Sequence, residues 1–448
     1  MSKKTDVLVI GGGPAGIVSA ITAKKYYPEK NVLVMKDVDV GCIPCGIPYM
    51  FHSLNNPDDN TMGLDGLKKN NIEIAVDKAT KIERDTKKVI TESGEKYEYE
   101  KLILATGSVP ITPPIDGIDK EGVYPIYKDM EYLKALVDKV KQSKNVLILG
   151  GGFIGIEIAD EISKIDGINV YVVEMFPHLL ANSFDEEFSI LAEEKLKSNG
   201  VKILTNRKVV KILGGKRVEG VRFDNGDELK VDIIVQSIGA RPNTSLVSES
   251  GIELEKNRGI GVDEYMRTSD PDIFAVGDCA VKKDFFTRKI TPVMLASTAT
   301  AEARVAGANL YQLRVVRENK GTIAIYSTYV NGLVLGSAGL TEITAKKEGF
   351  VIVSGSAECI DKHPGKIPGA NKIKVKLIFT KRSGILMGGQ VAGGISAGEV
   401  INIIGIAIQQ RVSVTELETL QMATQPYLTA APTMYPIVLA AQNTLDKM

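Results

Sequence analysis

The chain has 448 residues, 44% hydrophobic and 25% charged, with 55 basic residues matched by 55 acidic ones. That length accommodates two or three domains of ordinary globular composition, and the zero net charge gives no electrostatic case for a nucleic-acid or anionic-membrane partner. Four cysteines in so long a chain do not make a disulfide framework, so a reducing cytoplasm is the expected location.

The first element, "DVLVIGGGPAGIVSA", reads as an apolar strand, then Gly11-x-Gly13-x-x-Gly16, then a helix; its glycines and Asp6 argue against a secretory signal. In such a motif the first glycine allows a tight turn and the second lets the backbone approach a pyrophosphate. The third lets the helix pack on the strand, so that its N-terminal amides face the phosphates. A second strand, "NVLVMKDVD", follows. An acidic residue is expected at its end to bond ribose hydroxyls. Counting 24 residues from Gly11 reaches Met35, which cannot accept such a bond, so Asp37 or a backbone group is expected in its place. Next comes "VGCIPCGIPYMF" with Cys42 and Cys45. The following "GIPYMFHSL" is expected to open a helix with Pro48 in its first turn, and a thiol at that N-terminus is expected to have a lowered pKa. "YEKLILATGSVP" places Ala105, Thr106 and Gly107 after an apolar strand, as a crossing back toward the first site.

The strand–glycine–helix pattern then repeats in "NVLILGGGFIGIEIA", with Gly150, Gly152 and Gly155. Here the acid is present: Glu174, 24 residues after Gly150, ends "INVYVVE". Its carboxylate would repel a ribose 2′-phosphate, so NADH is the expected nucleotide rather than NADPH. "TSDPDIFAVGDCA" ends a short strand at Gly277 and Asp278, before an alanine-rich helix; the aspartate suits a ribitol chain. Residues 419–445 carry no charge but contain Pro426, Pro432 and Pro436, which points to a buried segment or a subunit interface rather than a membrane helix.

In this order, GGGPAG, a cysteine segment, ATG, GGGFIG with Glu174, GARPN at residues 239–243, GD at 277–278 and a late GILMGGQVAGG resemble the pyridine nucleotide–disulfide oxidoreductases over nearly the whole length. "CGIPY" resembles their single-cysteine branch: coenzyme A-disulfide reductases, NADH oxidases, NADH peroxidases and NADH-dependent persulfide or polysulfide reductases. The resemblance implies an α/β protein with two Rossmann-like dinucleotide-binding domains and a C-terminal α+β dimerisation domain. The implied FAD-binding domain is discontinuous, 1–115 and 241–320; the NADH-binding domain is 116–240 and the dimerisation domain 321–448. FAD, NADH and a homodimer are implied with it. Gly11, Gly13, Gly16, Gly277 and Asp278 match FAD positions; Gly150, Gly152, Gly155 and Glu174 match the NADH site, and Gly239 of GARPN is also expected to bind a cofactor. Phe153 matches the aromatic that gates the nicotinamide pocket, and Glu157 the carboxylate beside it.

The departures matter equally. Members that reduce peroxide keep a histidine in the first glycine loop, where this chain has Pro14 and Ala15, so peroxidase chemistry is not expected. The His-Pro-Thr base of the glutathione reductase type is replaced by Ala431-Pro432-Thr433, and its CxxxxC by Asp37 five residues before Cys42. In the single-cysteine branch the flavin-side cysteine lies ten residues beyond the ribose-acid position, and ten beyond Met35 is Cys45, the expected working thiol. Cys42 is either its partner in an exchangeable dithiol or a packed small hydrophobe; too few nitrogen and sulfur ligands remain for a metal site. His363 in "KHPG", with Tyr427 and Tyr435 in "QPYLTAAPTMYP", is either a proton source for a partner's active site or interface packing. The expected activity is NADH oxidation through FAD and Cys45 to a disulfide, persulfide or polysulfide, or to oxygen. The alternative is electron transfer to a rubredoxin- or ferredoxin-like protein without a cysteine step.

Overall fold

The computed structural model describes residues 2–255, 258–316 and 321–448. Along the chain, β1 (Val7–Ile10), α1 (Pro14–Tyr26), β2 (Val32–Lys36), β3 (Glu73–Val76) and β4 (Lys101–Leu104) come first. They are followed by β5 (Val123–Pro125), β6 (Asn145–Leu149), α2 (Phe153–Ser163), β7 (Asn169–Val173), α3 (Glu186–Ser198), β8 (Lys202–Leu204) and β9 (Ile233–Gln236). The chain then returns through β10 (Ile273–Ala275) and α4 (Ala296–Ala308), and ends with β11 (Ile325–Val330), β12 (Leu333–Gly339), β13 (Ile352–Ile360), β14 (Lys372–Thr380) and β15 (Leu386–Gly393) before its last helices.

Among the described residues these strands form three five-stranded sheets. The first has the order β10-β4-β1-β2-β3 and the second β5-β9-β6-β7-β8. Both are wholly parallel, and their central strands are continuous apolar runs, as sheets covered on both faces require. The third, β11-β12-β15-β14-β13, is antiparallel throughout. Each sheet draws its strands from one of the three segments expected from sequence. Residues 317–320, beside the expected boundary at 320/321, lie outside the described residues. Strand pairing of Ser108–Pro110 with Ala240–Pro242 ties together the outgoing and returning crossings between the first two units.

One core cluster spans all three units. It contains Cys42, Ile47, Met50 and Phe51 of the cysteine segment, Ile156 and Ile162 of α2, and Val330 and Leu335 of the C-terminal sheet. Burial of these side chains therefore sets how the thiol segment, the second glycine loop and the C-terminal unit meet.

Candidate active site

The two glycine loops divide their glycines by purpose. Gly11 has φ +121°, and a Cβ there would lie 2.1 Å from the carbonyl oxygen of Ala105 at the end of β4. A Cβ on Gly16 would lie 1.9 Å from the Gly11 oxygen, and one on Gly155 2.1 Å from the Gly150 oxygen. Packing within the chain thus requires these residues. Gly13 and Gly152 differ: their φ values of −80° and −77° suit any residue, and a Cβ on either would meet nothing within 4 Å. Neither helix has a side-chain cap, so the first-turn amides of α1 and α2 face that space without an intrachain partner from the cap. Both cradles fit the pyrophosphate of a dinucleotide.

The strand ends correct the sequence reading. The Gly150 amide donates to Val173 O at 2.9 Å, and the Gly11 amide to Met35 O at 2.8 Å, so Val173 corresponds to Met35 and Glu174 to Lys36. A Cβ on Gly151 would lie 3.2 Å from Glu174 Cβ, and one on Gly12 3.0 Å from Lys36 Cβ, which gives the same register. Met35 is fully buried within β2, and Lys36, whose ammonium donates to Asp39 O at 2.6 Å, holds the position beside the first loop, so the spacing from that position to Cys45 is one residue shorter than the count from Met35. Asp37 is exposed one residue further on. Glu174 is anchored through both oxygens, accepting from Gly151 N at 2.8 Å and Phe176 N at 2.9 Å.

Residues 105–107 meet the returning segment: Thr106 Oγ1 donates to Asn243 O at 2.7 Å, and Asn243 N to Gly107 O at 2.9 Å. Gly239, with φ +104°, turns the chain into this crossing. Asp278 lies in the 3-10 turn Gly277–Cys279 and accepts from Ser108 Oγ at 2.8 Å and Lys128 Nζ at 3.1 Å. Burial pushes its carboxyl up, but Lys128, Ser108 and Lys282 outweigh that and hold it below the ordinary aspartate range. The turn is braced from behind: Lys282 Nζ donates to Gly277 O at 2.6 Å, and Glu302 accepts from Gly277 N at 2.9 Å. Nothing local in the sequence signals Lys128, Lys282 or Glu302.

The cysteine segment departs from expectation. Instead of an α-helix it forms two short 3-10 turns, Pro44–Gly46 and Pro48–Phe51. Pro48 lacks the amide that would carry a helix through, and turns this short generate little dipole. The thiol is accordingly not lowered. Burial, and then the charge of Glu157, push Cys45 up, while Lys128 pulls the other way. All four cysteines are free; Cys45 is exposed, and Cys42 is buried in the shared core. Among the described residues no group of three or more His, Cys, Asp or Glu is arranged to hold a metal. Cys279 is also buried, its Sγ 3.2 Å from Val276 O. Gly46 is fixed by contact: a Cβ there would lie 1.9 Å from Asn60 Oδ1.

Helix α2 organises the other wall. Phe153 stacks on Tyr326 at 4.8 Å between centroids and 19° between planes. One turn on, Glu157 accepts from Thr328 Oγ1 at 2.7 Å. Burial drives the Glu157 carboxyl up to about 7, the Thr328 bond partly opposes this, and Asp160 adds to it. A further turn on, buried Glu161 accepts from Ser53 N at 2.7 Å and Ser53 Oγ at 2.8 Å, which clamps the cysteine segment to α2. His363 and Tyr427 are placed elsewhere. His363 Nδ1 donates to Thr429 O at 3.0 Å, and its amide donates to Pro426 O at 3.1 Å, so both features belong to one corner of the C-terminal unit. Tyr427 is exposed there, and Tyr435 is packed into that unit's core.

Residues 5–303 match the pyridine nucleotide-disulphide oxidoreductase family, and residues 325–435 match its dimerisation domain. The chain is 32% identical over 453 residues to an NADH oxidase of Methanocaldococcus jannaschii, covering 98% of this chain and 99% of that one. It is 32% identical over 398 residues to the NAD(P)H coenzyme A polysulfide/persulfide reductase of Pyrococcus horikoshii, covering 87% and 88%. A solved NAD-dependent persulfide reductase from A. fulgidus superposes with a TM-score of 0.91 at 29% identity, over 99% of this chain and 83% of that one. With two parallel dinucleotide folds, an exposed cysteine beside them and a family match over most of its length, the chain belongs to the pyridine nucleotide-disulphide oxidoreductases.

Proposed function

We propose that this chain oxidises NADH and passes the electrons, with FAD as its resident cofactor, through Cys45 to a disulfide, persulfide or polysulfide, oxygen being a competing acceptor. The observation that carries this is the placement of Cys45. It is the exposed thiol, and it feels both Glu157 on the NADH side and Lys128 and Asp278 on the FAD side. Names carried by the relatives support the same pair of acceptor classes.

Bound FAD would take a hydride from NADH and release an electron pair. The chain supplies the rest. Gly13 leaves room for one pyrophosphate and Gly152 for the other, while Gly11, Gly16, Gly150 and Gly155 let each strand, loop and helix close tightly enough to form the cradle. Residues 105–107, Gly277 and Asp278 line the flavin side. Glu174 takes the ribose hydroxyls of NADH and disfavours a 2′-phosphate. Phe153 covers the nicotinamide position, and Glu157, with its carboxyl near neutrality, holds or releases a proton beside it. Cys45 attacks the acceptor as thiolate: with R–S–S–R it forms Cys45–S–S–R and expels RS⁻, which takes a proton. Two electrons and the second proton then release RSH and restore the thiolate, so NADH + H⁺ + RSSR gives NAD⁺ + 2 RSH. Cys42, packed in the core, serves as a neighbour. A homodimer through the C-terminal domain is part of the proposal, with His363 and Tyr427 serving the second copy's thiol as proton sources. The four free thiols support a reducing cytoplasm.

The test is NADH consumption with coenzyme A disulfide, polysulfide and oxygen by wild type and Cys45→Ser. The variant should lose at least about a hundredfold with the sulfur acceptors, since no other nucleophile replaces the thiolate, and keep its oxygen-dependent rate. Full activity of Cys45→Ser with every acceptor would overturn the reading.

A further inference from the structure

Strand β11 belongs to the C-terminal unit, yet it packs on α2, which carries the proposed nicotinamide residues. Its side chains alternate as a half-buried strand should: Thr328 and Val330 are buried and Tyr326 half-buried, while Ser327 and Tyr329 are exposed. On α2, Phe153 and Glu157 stand four residues apart on one face. The two periods mesh. Tyr326 stacks on Phe153, Thr328 bonds Glu157, and Val330 enters the same core as Ile156.

Thr328 occupies Glu157 Oε1, and among the described residues no hydrogen bond reaches Oε2. Glu157 is half-buried, and its Oε2 is left open to an N–H or O–H group from outside the chain. The carboxamide of a nicotinamide offers such a donor. We propose that β11 is the back wall of the nicotinamide pocket and that Thr328 is a positioning residue, fixing the Glu157 carboxylate so that its free oxygen accepts from the NAD(H) carboxamide. This rests on the assignment of the second glycine loop to NADH.

The sign of the pH effect follows. The groups facing Glu157 are Asp160 on its own helix, Cys45 and Tyr49 on the cysteine segment, and Thr328 on β11. Only the ionised carboxylate accepts through both oxygens. NAD⁺ affinity should therefore be full above about pH 7 and fall as the pH drops below the Glu157 midpoint. Removing the Thr328 hydroxyl removes a donor to the ionised form, so the midpoint moves up.

The measurement is calorimetric titration of NAD⁺ into the FAD-loaded, oxidised protein from about pH 5.5 to about pH 8.5. Thr328→Val should weaken NAD⁺ about threefold or more at neutral pH, as expected for a lost hydrogen bond to a charged group, and shift the profile upward. Thr328→Ser should restore wild-type behaviour, and Glu157→Gln should flatten the profile. A wild-type profile in Thr328→Val alongside a flattened one in Glu157→Gln would overturn the role of Thr328. Unchanged NAD⁺ binding in Glu174→Ala would instead overturn the NADH assignment beneath it.

Discussion

Cys45 and Cys42 lie three residues apart and differ in what governs reactivity. Cys45 is exposed between charged groups, while Cys42 is buried among Ile47, Met50 and Phe51. For Cys42 to resolve a mixed disulfide on Cys45, its sulfur would have to leave that core, which buried cysteines, behaving as small hydrophobes, resist. Glu174 gives the sharpest prediction at this scale. Two backbone amides pin its carboxylate, so its charge cannot swing away from an incoming 2′-phosphate. Glu174→Ala removes that repulsion together with the ribose acceptor. The ratio of kcat/KM for NADH over NADPH should then fall by about tenfold to a hundredfold, the scale of a lost like-charge penalty of a few kcal/mol. Steady-state kinetics with both nucleotides checks it, and an unchanged ratio would remove Glu174 from the ribose site.

The strand–loop–helix unit is the natural scale for the glycines. Gly16→Ala should damage the fold itself, because its Cβ would sit 1.9 Å from a backbone oxygen. Gly13→Ala should not: its backbone is ordinary and its Cβ would enter open space. The expected result is an apoprotein whose unfolding midpoint stays within about 0.5 kcal/mol of wild type, with FAD affinity at least about tenfold weaker, since the methyl takes the space of the pyrophosphate. Flavin titration with thermal unfolding of the apoprotein separates the two effects; equal FAD binding in Gly13→Ala would show that the phosphates lie elsewhere. The same scale explains what a single sequence could reveal. The two glycine loops and Glu174 were legible because strand, turn and helix are contiguous. The acid position of the first unit was misplaced by one residue because its connection runs one residue longer than the second, an offset that only the strand register exposes at Lys36. The helix after Cys45 failed because Pro44 and Pro48 each restart a turn. Lys128, Glu302, Tyr326 and Thr328 reach the site through contacts distant in sequence, for which local periodicity carries no signal.

At the scale of the whole molecule, the NADH-side unit and the C-terminal sheet are joined by a buried charge cluster as well as by the shared core. Asp185 precedes α3 but does not cap it with its side chain. Its carboxylate turns instead to the C-terminal unit, meeting Lys376 Nζ at 2.9 Å and accepting from Gln390 Nε2 at 2.6 Å and Glu342 N at 3.3 Å. Lys376, with 6% of its side chain exposed, also reaches Glu187 at 2.7 Å. Burial alone would push the Lys376 ammonium down, but Glu187 and Asp185 outweigh it and keep the charge. The side chains that form the proposed nicotinamide wall come from both units, so this cluster holds the site's geometry at a distance. Lys376→Met leaves Asp185 buried without its cation, which should cost about 3–5 kcal/mol in denaturant unfolding. Adding Asp185→Asn removes the stranded charge, so the double variant should be more stable than Lys376→Met alone, with a coupling above about 1 kcal/mol. NAD⁺ affinity should weaken in Lys376→Met and recover in the double variant, because α2 and β11 keep their register only while the two units stay docked. A single variant within about 0.5 kcal/mol of wild type would mean that the hydrophobic core alone docks the units and that the ion pair is incidental.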